Sequence, residues 1–397
     1  MMNRLVNYIN LKWLQFFLLL LFVLGLTWVF WRLSEPNTSS HSSFEASAYI
    51  EPDFNYEYGD TSKYIEIGIQ PLWIPVAIIT QVIMHDQILT GSLAAKGKSL
   101  RFFSFYHGGE IVNNLNYNKL EGAVAGDMPV LLIAAQNDIR VVSIVQQGFT
   151  SIISSKYSTL EQLKRKRIGY VKNTNSHYGL LAALSSRGIE ADDVELVSMN
   201  VTDLTEALFR NEIDAFSAWE PFPSVALHHN SDQVVVNKEL AMGFMFFSSD
   251  YFKNHRDEVA LIVAAQIRAF NWLQTSRGNL LIAIEWLLSE SSGFIKNDYM
   301  KLTNYQLSTL AKKDMLGHVW MPLIEDQLLD SNGFLDREFH FLKNQKLIPG
   351  AASWSQVRGS FDNNLVLQIQ CQPNKYKLYE FNYVATSETL TNTLKSD

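Results

Sequence analysis

Apolar positions along the chain recur in three different textures. From 13 to 31 they are almost unbroken: WLQFFLLLLFVLGLTWVFW carries no charge, and as a helix rising ~1.5 Å per residue it spans about 28 Å, the hydrocarbon thickness of a bilayer. Trp13, Trp28 and Trp31 fall near its ends, at the depth where interfacial aromatics sit. Between about 64 and 240 the texture changes to short strand-like runs alternating with amphipathic helical ones, the signature of an α/β fold with parallel strands. From 254 to 346 the period is helical, as in EVALIVAAQIRAFNWL and LLIAIEWLL.

The runs place the elements. YIEIGIQ (64–70), LRFFSFY (100–106) and EGAVAG (121–126) read as strands, with a helical stretch from about Ile74 to Leu89 after the first and an apolar helix after the loop GDMP. RVVSIVQQ and TSIISS are strands able to carry the chain from one lobe into another. TLEQLKRK is predicted helical, then RIGYV (167–171) a strand, SHYGLLAALSSRG a helix, VELVSM a strand, TDLTEALFRN a helix and DAFSAW (214–219) a strand. QVVVNK and AMGFMFFSS bring the chain back. Alternation around Pro-Asn in NLVLQIQCQPNKYKLYEFNY (364–383) suggests a hairpin or an edge strand. The implied organisation is a cytoplasmic N-terminus and anchor over 1–34, a Ser-rich tether over 35–63, a first lobe over 64–147 and 241–320, a second over 148–240, and a C-terminal extension over 321–397. Two such lobes joined by two crossings enclose a cleft at the C-terminal ends of their strands, where open α/β sheets bind ligands.

Composition narrows the function. Of 397 residues 47% are hydrophobic and 18% charged, a folded chain with net charge -7. Arg4, Lys12 and Arg32 are the charges of the first 34 residues, so the body is more acidic than the whole, which argues against nucleic-acid binding. Two cations before the apolar run against one after it favour a cytoplasmic N-terminus and an exported body. The A-x-A-like site Ala46-Ser47-Ala48 lies too far downstream for signal cleavage, so a single-pass anchor in the cytoplasmic membrane is expected, with the domain facing the periplasm or exterior. Cys371 is the single cysteine; no intramolecular disulfide or cysteine-based metal site can form, and the thiol is expected to be buried.

The candidate chemistry gathers at strand ends. KNTNSHYGLLAAL (172–184) follows RIGYV, so its helix starts at the cleft with Asn175 or Ser176 as cap and open backbone amides suited to an anion or polar oxygen. Ser176 and His177 make a poor nucleophile-base pair, because neighbours on a helix point apart, and no G-x-S-x-G elbow is present. SAWEPF (217–222) brings Trp219 and Glu220 to the same edge, an indole that packs and a carboxylate that accepts hydrogen bonds or braces its loop. Gln70 with Trp73, Tyr106 with His107, and Gly126-Asp127 with Met128 follow three other strands. His107 has no companion at metal-ligand spacing, His228-His229 reads as surface, and KRKR (164–167) as a charge run at a helix end. Absence of a P-loop, G-x-G-x-x-G and H-E-x-x-H removes the common nucleotide and zinc-hydrolase readings, and nothing asks for a cofactor.

AVAGDMPVLLIAAQNDIRVVSIVQ followed by STLEQLKRKRIGYVKNTNSHYGLLAALSSRGIEADDVELVSMNVTDLTEALFRNEIDAFSAWEPF resembles the periplasmic solute-binding proteins of ABC importers for aliphatic sulfonates, taurine and nitrate, a group that extends to binders of thiamine-pyrimidine precursors. The resemblance runs from about Ile65 to Trp286. It implies a two-lobed type II binding-protein fold, here behind one N-terminal transmembrane helix, with Gly126 and Asp127, then Asn175, Ser176 and His177, then Trp219 and Glu220 at the ligand, and Gln70 and Trp73 from the first lobe. Lys119-Leu120-Glu121 and the first helix depart from the family pattern.

The resulting expectation is a membrane-anchored extracytoplasmic protein that closes on a small organic solute such as a sulfonate, taurine, nitrate or a pyrimidine. It would pass the solute to a permease and ATPase and perform no catalysis. A ligand-sensing subunit of a signalling complex is the alternative. An enzyme like the pyrimidine-synthesising members of the wider group is disfavoured, since those carry a cysteine-rich motif and Cys371 stands alone.

Overall fold

The computed structural model describes residues 56–116, 119–294, 302–315 and 322–383. The run 13–31 and most of the expected tether lie outside the described residues. Among the described residues no helix is long and apolar enough to cross a membrane.

Strands and helices follow one another as β1 Tyr64–Ile69, α1 Val76–Met84, α2 Gln87–Ala94, β2 Ser99–Ser104, α3 Gly108–Asn116, β3 Gly122–Gly126, α4 Asp127–Ala134 and β4 Ile139–Ser154. Then come β5 Arg167–Tyr170, α5 Asn175–Ser185, β6 Glu195–Ser198, α6 Leu204–Phe209, β7 Ala215–Trp219, α7 Phe222–His229 and β8 Val234–Ser248. Helices α8 Ser249–Asn254, α9 Arg256–Thr275, α10 Arg277–Ser291, α11 Asn304–Met315, α12 Asp326–Leu329, α13 Phe334–Asn344, α14 Trp354–Gly359 and α15 Asn364–Gln370 complete the described chain.

All strands join one mixed sheet in the order β2-β1-β3-β8-β4-β7-β5-β6. β1 pairs in parallel with β2 and β3, and β5 with β6 and β7, so each half of the sheet is a parallel α/β unit. β4 and β8 are 16 and 15 residues long and pair antiparallel with each other through both halves. The two strands expected over RVVSIVQQ and TSIISS are therefore one. Its register shifts between Val141 and Ser143 and again between Ile144 and Gln146, local bulges that re-aim side chains without ending the strand. Central strands are apolar on both faces, as the buried GAVAG of β3 and AFSAW of β7 show, because helices cover both sides.

Several expectations change. The stretch from Ile74 to Leu89 is two helices: Asp86 breaks it, capping α2 by accepting from the Leu89 amide at 2.9 Å and pairing with Arg268 of α9 at 2.7 Å. TLEQLKRK shrinks to a 3-10 turn at Glu161–Leu163, since Arg165 takes the left-handed conformation, φ 61°, which ends any helix there. The hairpin expected over 364–383 is replaced by α15 and turns. Leu365, Val366 and Ile369 are buried while Leu367 is 46% exposed, a helical face rather than strand alternation. Cys371, expected buried, is exposed at the end of α15. Tyr56 and Tyr58, at the close of the expected tether, already pack on Phe103, with ring centroids 5.0 and 4.8 Å away.

Candidate functional site

One face of the two crossing strands forms a floor. Gln146 of β4 lies opposite Gly243 of β8, which in turn lies opposite Gly126 of β3; residues paired across antiparallel strands point to the same face. Two positions further along, Gly148 lies opposite Ala241, and then Thr150 opposite Glu239. Side chains from both halves of the sheet stand over this row. A Cβ on Gly243 would meet the Trp73 ring at 2.8 Å, one on Gly126 would meet Asn175 Nδ2 at 3.2 Å, and one on Gly179 of α5 would meet Thr150 Oγ1 at 2.5 Å. Glycine at these three places is what lets the walls of the cleft approach its floor.

The walls also bond directly across the cleft. Trp219 Nε1 donates to the Leu72 carbonyl at 3.2 Å, and the Ile74 amide donates to the Glu220 carbonyl at 3.0 Å. Both loops turn through cis prolines, Ile74-Pro75 and Glu220-Pro221. Glu220 braces its own loop, its carboxylate accepting from the Ser224 amide at 3.2 Å.

α5 begins one residue earlier than the serine-histidine pair suggests. Thr174 is its N-cap, without a side-chain bond to the helix amides; its hydroxyl instead reaches the Val171 carbonyl and the Ser176 hydroxyl. The amides of His177 and Tyr178 return to the Thr174 carbonyl. Those of Asn175 and Ser176 have no hydrogen-bond partner among the described residues, although both residues are buried. Open amides on the first turn, at the positive end of the helix, are donors suited to an anionic or polar oxygen. The Ser176 hydroxyl is engaged by Thr174, and the Ser176 carbonyl accepts from Ser217 Oγ at 2.9 Å.

Both histidines are neutral donors. Burial lowers His107 to about 4, and burial with the nearby Lys172 lowers His177 to about 4. Nδ1 of His107 accepts from the Gly109 amide at 3.2 Å and Nδ1 of His177 from the Asn173 amide at 3.3 Å, so the proton of each ring sits on Nε2. His107 Nε2 faces Glu110 Oε1 at 3.6 Å. Gly109, beside it, faces Asn173 of the opposite wall: a Cβ on Gly109 would lie 3.5 Å from the Cβ of Asn173.

Asp127, wholly buried, opens α4 and continues the ladder beyond β3. Its carboxylate accepts from the Met128 amide at 2.8 Å and from the Met242 amide of β8 at 2.7 Å. Burial pushes it up to about 7 against those two bonds. Gln70 turns inward, Nε2 donating to the Val124 carbonyl at 3.3 Å, and so supports β3 rather than lining the cleft. Of the expected residues, Trp73, Gly126, Asn175 and Trp219 meet around the floor, with Asp127 and Glu220 bracing its corners, His177 set back against Tyr170 and Asn173, and His107 beside Gly109.

Spacing did not reveal Gln146, Gly243 or Tyr178, which stand at the same place. A buried polar residue inside the apolar run RVVSIVQQ was the available signal for Gln146. Arg140 points elsewhere, donating to the Gly359 carbonyl at 2.5 Å, and Lys172 is exposed. A cavity of about 660 Å³ near Arg140, Arg358 and Asp362 lies between the start of β4 and the C-terminal helices. Arg140 donates there to the Gly359 carbonyl and Arg358 to the Leu329 carbonyl.

Comparison with known proteins gives this geometry a context. Residues 113–275 match the family described as NMT1/THI5 like. The "Putative aliphatic sulfonates-binding protein" of Bacillus subtilis (strain 168) is 25% identical over 220 residues, 53% of this chain and 65% of that protein. The taurine-binding periplasmic protein of Escherichia coli (strain K12) is 29% identical over 129 residues, 32% of this chain and 40% of that protein. These matches thus span less than two thirds of either relative. The alkanesulfonate-binding protein SsuA from Xanthomonas axonopodis pv. citri, solved bound to MOPS, superposes with a TM-score of 0.59 at 18% identity, over 77% of this chain and all of that one. The periplasmic nitrate-binding protein NrtA from Synechocystis PCC 6803 does so with 0.57 at 11% identity, over 81% and 91%. The described chain therefore has the fold of periplasmic binding proteins, and its residues 113–275 match the family described as NMT1/THI5 like.

Proposed function

We propose that this protein is an extracytoplasmic solute-binding protein of an ABC importer, which captures one small polar solute between the two halves of its sheet and presents it to a permease and its ATPase. The observation that carries the reading is the pair of open, buried amides at Asn175 and Ser176, on the turn whose Asn175 side chain reaches Gly126 of the opposite half. Such a seat holds an oxygen of a sulfonate, nitrate, carboxylate or carbonyl without a counter-charge, as helix N-termini do. Trp73 and Trp219 supply the apolar walls, and the neutral His177 beside the seat supplies an Nε2-H donor. The relatives' names point the same way: they are binding proteins for sulfonates and taurine. Closure would be driven by contacts that exist only when both walls touch the solute. Within this reading residues 64–147 with 241–320 form one lobe and 148–240 the other, and the run bounded by Trp13 and Trp31 anchors the protein in the membrane.

A thermal-shift panel of alkanesulfonates, taurine, nitrate and pyrimidines, with mass spectrometry of the protein as purified, tests the proposal. At least one compound should raise the melting temperature, and His177→Ala should weaken it about tenfold or more with the fold intact. No shift with any compound and no retained molecule would overturn it. Co-purification with a kinase or cyclase in place of a permease would move the reading to ligand sensing.

A further inference from the structure

Glu338, on α13, is fully buried, and neither of its carboxylate oxygens has a hydrogen-bond partner among the described residues. Its helix packs against α4 and α5, the two helices whose first residues, Asp127 and Asn175, come from opposite halves of the sheet and flank the cleft. Phe334 and Phe341 of α13 hold the Tyr178 ring edge-on between them, at centroid distances of 6.3 and 5.7 Å. Burial raises the Tyr178 phenol, and the charges of Glu338, Asp127 and Glu239 raise it further, opposed by Arg337. Asp127 is satisfied by two amides. Glu338 is not.

A second acceptor is also left over. Gln146 is 3% exposed and its Oε1 is unpartnered, on the sheet face that carries Trp73 and Asn175, one strand pair from Gly126-Asp127. Burial, and then the nearby Asp127, push the Glu338 carboxyl well above the usual carboxylate range, so it stays protonated while alone and ionises when a cationic donor is placed against it. Two unfilled acceptors, one on β4 and one on the helix packed against α4 and α5, ask for donors that the described residues do not supply.

We infer that the solute taken by this cleft carries a protonated nitrogen, an ammonium or amidinium end, and that Glu338 is the carboxylate that pairs with it, with Gln146 accepting a further N-H. This rests on the reading of the cleft as a solute site. It assigns to the C-terminal helix a specificity-determining role. The solute's oxygen end lies on the amides of Asn175 and Ser176, and its nitrogen end faces α13.

Calorimetric titration of the full-length chain with two matched pairs tests this: ethanesulfonate against 2-aminoethanesulfonate, and butyrate against 4-aminobutyrate. In at least one pair the amine-bearing member should bind at least tenfold tighter, and Glu338→Gln should erase that preference. Tyr178→Phe, which keeps the ring between Phe334 and Phe341, should keep it. Glu338→Gln should also melt no lower than the unliganded wild type, because it removes an unpaired buried acid. Equal binding of both members of the pairs, or an amine preference that survives Glu338→Gln, overturns the inference while leaving solute binding standing. If no probe and no molecule retained from a cell extract raises the melting temperature of the wild type, solute binding fails and this inference fails with it.

Discussion

The indole of Trp219 and the carbonyl of Leu72 are hydrogen-bonded at 3.2 Å, joining the end of β7 in one half of the sheet to the loop that leads into α1 in the other. The bond is buried and neutral, so its loss costs about 1 kcal/mol. Trp219→Phe keeps most of the ring and removes the donor. We expect urea unfolding to show a loss of that order, and solute affinity to fall roughly three- to tenfold because the bond joins the two walls that the proposed closure brings together.

Gly126 has φ -70° and ψ 169°, a conformation open to any residue, so alanine there strains nothing in the backbone. Its Cβ would nevertheless lie 3.2 Å from Asn175 Nδ2. Gly126→Ala should therefore lower the stability of the unliganded protein by about 1–3 kcal/mol, an overpacking effect where the two walls approach, and weaken binding roughly tenfold. Titration of the variant with any compound that stabilises the wild type measures it.

His107 and His177 both sit near 4 in the folded protein, below the ordinary 6.5. The unfolded chain binds protons on these rings that the folded chain refuses, so stability is lost as pH falls from about 6.5 towards 4. Chemical denaturation midpoints across that window should fall with pH, and His107→Gln should flatten the slope. Asp127, held up at about 7 by burial, acts in the opposite sense over the same range, losing stability as pH rises from about 4 to about 7, so the change of slope on His107→Gln is what isolates the histidine.

Asp86 and Arg268 form a buried pair at 2.7 Å, and Arg268 also donates to the Tyr376 carbonyl at 2.7 Å. Arg268→Met strands a buried carboxylate and should destabilise the protein by about 3–5 kcal/mol. The pair lies among α1, α2, α9 and the C-terminal turns rather than at the cleft. Solute affinity, measured where the variant is folded, should be near that of the wild type.

Strand and helix order was legible because apolar runs and turn residues alternate cleanly from Tyr64 to Ser248, and because strand ends in an α/β sheet collect at one edge. That is why Gly126, Asn175, His177 and Trp219 could be named in advance. Gln70 could not be separated from them: it too follows a strand, and only its bond to Val124 shows that it turns inward. Glu338 was invisible for a different reason. FLDREFHFLKN reads as an amphipathic surface helix, and nothing local says that α13 is covered on the side bearing Glu338 and Asp336. In α15 the apolar positions fit periods of 2 and 3.6 almost equally well, and the burial of Leu365 and Ile369 against the core decided for the helix.

β4 and β8 remain hydrogen-bonded to each other across the whole molecule. The halves therefore share one uninterrupted ladder instead of being linked by flexible cords, and this ties their folding together. Cutting between the halves would expose the amides and carbonyls of two central strands, so neither half is a separate cooperative unit. They melt in one transition, and the amides of 146–151 exchange with solvent only when the entire sheet opens.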